Sequence, residues 1–183
     1  MTTFERVIGI DLSLTATGIA QSRVGEQTAD LRVIETTGRK NDRWIDRWHR
    51  LGYITHTISH HVIVNAPTLA VIEAPAYASN TGAMHDRSGA WWLTYSMLAD
   101  EGVPILPVAP NIRAKYATGK GNASKDEVLA AAVRRYPLLD INSNDTADAV
   151  ILMAIGRRLI GDPIDDLPAK HLEALATLEI PHG

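Results

Sequence analysis

Arg6-Val7-Ile8-Gly9-Ile10-Asp11-Leu12-Ser13-Leu14-Thr15-Ala16-Thr17-Gly18-Ile19-Ala20-Gln21-Ser22-Arg23-Val24 is the stretch that decides the fold. Two apolar runs, 6–12 and about 16–24, are separated only by the polar turn Ser13-Leu14-Thr15. So short a connection cannot hold the crossover that parallel strands need, so these strands are expected to pair antiparallel. After the turn-like Gly25-Glu26, Leu31-Arg32-Val33-Ile34-Glu35-Thr36 reads as a third strand and completes a meander. The period then changes. Trp44, Trp48, Leu51, Thr55, Ile58 and Val62 fall at steps of four and three, which predicts one face of a long helix with Trp44 and Trp48 as core staves. Leu69 to Glu73 is a fourth strand, and the helix before it makes parallel pairing with an earlier strand the expectation.

Residues 82–101 read as a second helix, and 104–108 as a short fifth strand whose prolines suit a sheet edge. Ser124 is a candidate N-cap for a helix through Arg135, ended by Tyr136-Pro137. A further helix spans about 144–160, and the tail is expected to add a short one near 168–178. The expected class is α/β: a five-stranded mixed sheet, three strands in an antiparallel meander and the others parallel, with helices on both faces. With 183 residues the chain is read as one domain, 1–183, ending in a short acidic extension at 162–183.

Composition excludes several classes. With 45% apolar residues the chain is globular rather than disordered. No run approaches the ~18–20 apolar residues of a membrane span, and the first residues lack a signal-peptide layout. The absence of cysteine excludes disulfides and thiolate metal sites. The lack of cysteine also makes the cytoplasm the expected location. The net charge of −3 argues against a whole-surface nucleic-acid binder, not against a local basic strip.

Four acids stand where a structural role explains them poorly. Asp11 ends the run Val7 to Ile10, Glu73 ends Leu69 to Ile72, and Asp145 and Asp148 open the apolar segment 149–160. At ~100° per residue the last two share a side with Ile151, Leu152, Ile155 and Leu159, so they point at the sheet. If the fourth strand pairs parallel to the first, Asp11 and Glu73 project from adjacent strand ends, where open sheets bind ligands. Four carboxylates in one pocket repel unless a cation joins them, and all-oxygen ligation suits Mg²⁺ or Mn²⁺.

Gly9-Ile10-Asp11, then Thr17-Gly18, then Val71-Ile72-Glu73, then Asp145-x-x-Asp148-Ala149 resembles the RuvC-type Holliday junction resolvases of the ribonuclease H-like superfamily. The resemblance runs through most of 6–160. It implies a ribonuclease H-like sheet, a homodimer, and an endodeoxyribonuclease that hydrolyses Holliday junctions or related branched DNA with two metal ions. In-line attack would leave 5′-phosphate and 3′-OH ends. By the same resemblance Asp11, Glu73, Asp145 and Asp148 would be both catalytic residues and metal ligands. Leu12-Ser13 departs from the Pro-Gly usual in the family, and the tail 162–183 has no counterpart in its pattern.

DNA contacts are expected from Arg113, Lys115, Lys120 and Lys125, within a segment, 111–135, that carries net charge +4. Gly119 to Lys125 reads as a glycine loop feeding a helix N-terminus, similar to the corresponding loop of the resolvases, where Lys125 matches a lysine. Tyr77 and Asn80 lie in the segment after Glu73. Tyr77 is a candidate for the aromatic that resolvases insert at the junction, or else a loop-packing residue. His56 and His60 are four apart but read as solvated, and Trp91-Trp92 cannot both face one core, which points one of them at a dimer interface. The basic set Arg39, Lys40, Arg43, Arg47 and Arg50 suits either DNA or a salt-bridged surface. A non-catalytic DNA-binding relative and an actin- or sugar-kinase-like phosphotransferase are the alternatives. The second needs two lobes, for which the length leaves no room.

Overall fold

The computed structural model describes residues 4–75 and 83–181. Its strands are β1 (Arg6–Asp11), β2 (Ala16–Arg23), β3 (Asp30–Glu35), β4 (Leu69–Glu73) and β5 (Ile105–Val108). Its helices are α1 (Trp44–Asn65), α2 (Met84–Asp100), α3 (Pro110–Thr118), α4 (Lys125–Arg135), α5 (Asn144–Leu159) and α6 (Ala169–Leu172), the last running into a 3₁₀ turn at Glu173–Leu175. The sheet order is β3-β2-β1-β4-β5. β1 to β3 form the antiparallel meander, while β1–β4 and β4–β5 pair parallel, as the connection lengths require.

Side chains alternate across a strand, and here the alternation sets the site. Ile8, Ile10, Ala70, Ile72 and Ile105 face α1 and α2, packing with Ile54, Ile58, Trp91 and Leu98. Val7, Leu69, Val71, Leu106 and Val108 face the other layer, α3 to α5. Asp11 is in phase with Val7, and Glu73 with Leu69 and Val71, so both acids belong to the α5 side. In register, Ile10 pairs with Ile72, which makes the two acids neighbours one residue further on.

α5 reaches that end because two glycines let it touch the sheet backbone. A Cβ on Gly9 would lie 2.2 Å from the Ala149 carbonyl oxygen, and one on Gly18 would lie 2.0 Å from the Asp145 carbonyl oxygen. From Thr146 to Arg157 the helix is buried on every side, with the sheet beneath it and α3 and α4 packed against it. Ser143 starts it, accepting a hydrogen bond from the Thr146 N–H at 3.1 Å.

Three features differ from expectation. Trp44 and Trp48 are exposed, at 78% and 62%, rather than in the core. The buried face of α1 begins only at Ile54. Its first turns meet α2 instead of the sheet, through Arg47 Nε and Asp86 at 2.9 Å and Arg50 Nη2 and Asp86 at 3.2 Å. That favours the salt-bridged reading of this basic set.

The second difference is α3, a helix the apolar pattern does not announce. The third is how the extension is anchored, for its short helix and 3₁₀ turn do fall within the expected 168–178. Asp165 has a fully buried side chain and accepts hydrogen bonds from Tyr116 Oη at 3.0 Å, Tyr136 Oη at 2.5 Å and Arg158 Nη2 at 2.5 Å. His171 Nδ1 meets the Tyr116 carbonyl at 2.8 Å, and Lys115 pairs with Glu173 at 2.9 Å. The tail thus straps α3 in place.

Candidate active site

β1 and β4 end side by side with Asp11 and Glu73, and α5 begins above them with Asp145 in its first turn. These three acids line one pocket of about 310 Å³, together with Ser13, Arg87 and Lys125. Trp91 fixes the strand end, its indole N–H donating to the Glu73 carbonyl oxygen at 2.9 Å. Asp148, one turn into α5, is 2% exposed and lies behind the pocket.

Asp11 is the electrostatic centre. It is 8% exposed, and among the described residues no hydrogen bond reaches its carboxylate. Burial is the largest of the influences that together bring its pKa up to about 7. Glu73 and, more weakly, Asp145 act in the same direction as burial, while Arg113 and Lys125 oppose them. The chain therefore builds an acidic centre that its own cations only partly answer.

Arg113 is the main internal answer. It projects from α3, is 7% exposed, and its Nε donates to Glu73 Oε2 at 2.5 Å while Nη1 pairs with Asp148. The guanidinium thus holds two of the four acids, and among the described residues no cluster of three His, Asp or Glu side chains closes around a single point. The donor chemistry still fits a hard divalent cation: every candidate ligand is a carboxylate, and no donor among the described residues reaches the buried Asp11.

The other expected DNA contacts are placed variously. Arg113 turns inward onto the acids, and Lys115 is occupied by Glu173 at 2.9 Å. Lys120 is exposed on the glycine loop with Glu127 at 3.5 Å, and Lys125 stands at the rim of the acidic pocket. Tyr77 and Asn80 lie outside the described residues. His56 and His60 are solvent-exposed on α1.

Arg113's inward role was recoverable from local signals. Pro110 at a first helical position and Gly119 at a left-handed C-terminus (φ 78°) bound a helix. Within it, Arg113, Tyr116 and Ala117 share the buried face.

The comparisons agree with this architecture. No family model matches the chain. The crossover junction endodeoxyribonuclease RuvC of Synechococcus sp. (strain CC9311) is 30% identical over 158 residues, covering 82% of this chain and 97% of that protein. The enzyme of the same name from Rickettsia massiliae (strain Mtu5) is 27% identical over 147 residues, covering 80% and 92%. Thermus thermophilus RuvC superimposes with a TM-score of 0.67 at 19% identity, over 86% of this chain and 97% of that one. The same protein in complex with a Holliday junction substrate gives 0.62 at 22% identity, over 81% and 90%. These two structures show a shared fold. With a 30% identical relative matched over nearly its whole length, the chain belongs to the RuvC crossover junction endodeoxyribonuclease family.

Proposed function

We propose that this chain is a structure-selective endodeoxyribonuclease that cuts Holliday junctions or related branched DNA by cation-dependent phosphodiester hydrolysis. The observation that carries the reading is the buried Asp11 carboxylate, flanked by Glu73 and Asp145 and accepting no hydrogen bond among the described residues, at the sheet end of a RuvC-family fold. Asp11, Glu73, Asp145 and Asp148 would hold two Mg²⁺ ions, for which Mn²⁺ can substitute. Bound there, the ions supply a water of lowered pKa and positive charge beside the leaving oxygen.

The chain's own groups do the rest. Asp11, central and buried, is the carboxylate best placed to be shared. Arg113 pairs with Glu73 and Asp148, which makes the burial of Asp148 tolerable. Lys125 at the rim draws a phosphate toward the pocket. No thiolate nucleophile is available in a chain without cysteine, and the family resemblance implies water attack leaving 5′-phosphate and 3′-OH ends. Four-fold branched DNA offers two equivalent strands, which suits a homodimer. The outward Trp48 and Trp92 on α1 and α2 are apolar surface for a second copy.

The test is cleavage of end-labelled four-way junction, fork, flap and linear duplex DNA in Mg²⁺, Mn²⁺ or EDTA. Paired symmetric nicks in the junction, lost in EDTA and in Asp11→Asn and Asp145→Asn variants that still bind it, are expected. Equal cutting of linear duplex, or wild-type cleavage by either variant, contradicts the proposal.

A further inference from the structure

A second basic feature lies on the other side of the glycine loop from the acids. Between the end of α3, that loop, α4 and α6 runs an open cleft of about 600 Å³. Lys120, Arg134, Arg135 and His171 line it against a single carboxylate, Glu127. Small residues, Ala117, Ala130 and Ala131, form part of its lining and leave the space open. In a chain of net charge −3 this is a pronounced local excess of cations.

The polar groups here are only partly used within the molecule. Glu127 accepts from the Ser124 N–H through Oε2 at 2.8 Å and pairs with Lys120 through Oε1 at 3.5 Å, so it answers Lys120 and leaves the two arginines without a carboxylate in the cleft lining. Arg135 Nη2 donates to the Ala117 carbonyl at 2.7 Å, while its Nη1 is buried with no partner among the described residues. Arg134 is exposed and has no hydrogen bond or ion pair among the described residues. His171 is fixed through Nδ1 on the Tyr116 carbonyl, with Nε2 turned toward Gly119, so its other nitrogen faces the loop. Asp165, held by Tyr116, Tyr136 and Arg158, anchors the strap that carries this histidine.

We propose that this cleft is a second phosphodiester-binding site, which grips the backbone of a substrate arm away from the cut, and that the C-terminal extension exists in part to form its wall. The inference rests on the nuclease reading above. Lys120 on the loop and Lys125 at the start of α4 connect the two places, five residues apart, Lys125 at the acidic pocket and Lys120 in the cleft. A nucleic-acid backbone entering at Lys125 therefore meets more cations as it passes the loop. Its repeating phosphates match spaced cations better than one small anion does. A substrate with arms long enough to reach past the loop gains affinity that a short one does not.

The experiment measures junction binding against salt in the Asp145→Asn protein, with and without Arg134→Glu or Arg134→Lys. Thermal melting verifies that each variant is folded, and inorganic phosphate and pyrophosphate serve as competing probes. The glutamate variant is expected to bind about tenfold or more weakly, with a slope of log affinity against log salt smaller by about one. The lysine variant keeps both, and neither small anion competes at millimolar concentration. Unchanged affinity and slope in folded Arg134→Glu overturn the cleft while leaving the nuclease reading intact. So does phosphate or pyrophosphate binding that depends on Arg134 while DNA binding does not. If the Asp145→Asn protein binds no branched DNA at all, the nuclease reading fails and the cleft proposal with it.

Discussion

Asp11 and Asp165 are both buried carboxylates, and the molecule treats them in opposite ways. Asp165 receives two tyrosine hydroxyls and the Arg158 guanidinium, donors enough for a buried charge. Its presence in turn pushes the Tyr116 and Tyr136 hydroxyls well up, secondary only to burial, so they stay protonated as donors. Asp11 receives no donor among the described residues, and two further acids face it. A buried charge that its surroundings answer is structural; one left unanswered marks where something from outside belongs.

That contrast predicts opposite signs on mutation. Asp165→Ala strips the shared acceptor from Arg158 and both tyrosines and should destabilise the protein by roughly 3–5 kcal/mol, read by denaturant unfolding. Asp11→Asn should instead stabilise the cation-free protein, by a few kcal/mol on the scale of about 1.4 kcal/mol per tenfold change in proton affinity. The pH course follows from the raised value. Between about 4 and about 7 the folded state holds a proton on Asp11 that the unfolded state has lost, so wild-type stability falls as pH rises through that window. The advantage of Asn is therefore absent below about pH 4 and complete above about pH 7. Melting in EDTA across this range measures it. A constant difference between the two proteins would place Asp11 in an ordinary solvated setting.

Gly18→Ala comes next. The new Cβ would overlap the Asp145 carbonyl, so α5 must shift. A loss of about 1–3 kcal/mol is expected, with junction cleavage falling further than that stability loss explains, because Asp145 moves with the helix. Lys115→Ala is the smallest effect. It removes an exposed pair to Glu173 and should change stability by less than about 1 kcal/mol.

Much of the acidic centre was legible because its signals are local. Asp11, Glu73, Asp145 and Asp148 each sit at the end of an apolar segment, and strand parity plus helical phase turn them to a common side. The meander and the parallel β4 followed from connection lengths. Asp165 was illegible for the opposite reason, since its tyrosine partners lie 49 and 29 residues away and nothing nearby announces them. Trp44 and Trp48 share a helical side with Ile58, but periodicity says which residues share a side and not how far its cover extends. α3 has few apolar residues in phase, so its boundaries carried a signal that its interior did not.

Direct titration of the folded, cation-free protein with Mn²⁺, by calorimetry or by the electron paramagnetic resonance of free Mn²⁺, probes the unanswered charge most closely. Wild-type protein and Asp165→Asn that remains folded are expected to bind Mn²⁺ alike at pH 8, and Asp11→Asn to lose that binding. Equal Mn²⁺ binding by wild type and Asp11→Asn would contradict the assignment of Asp11 as the centre of a cation site.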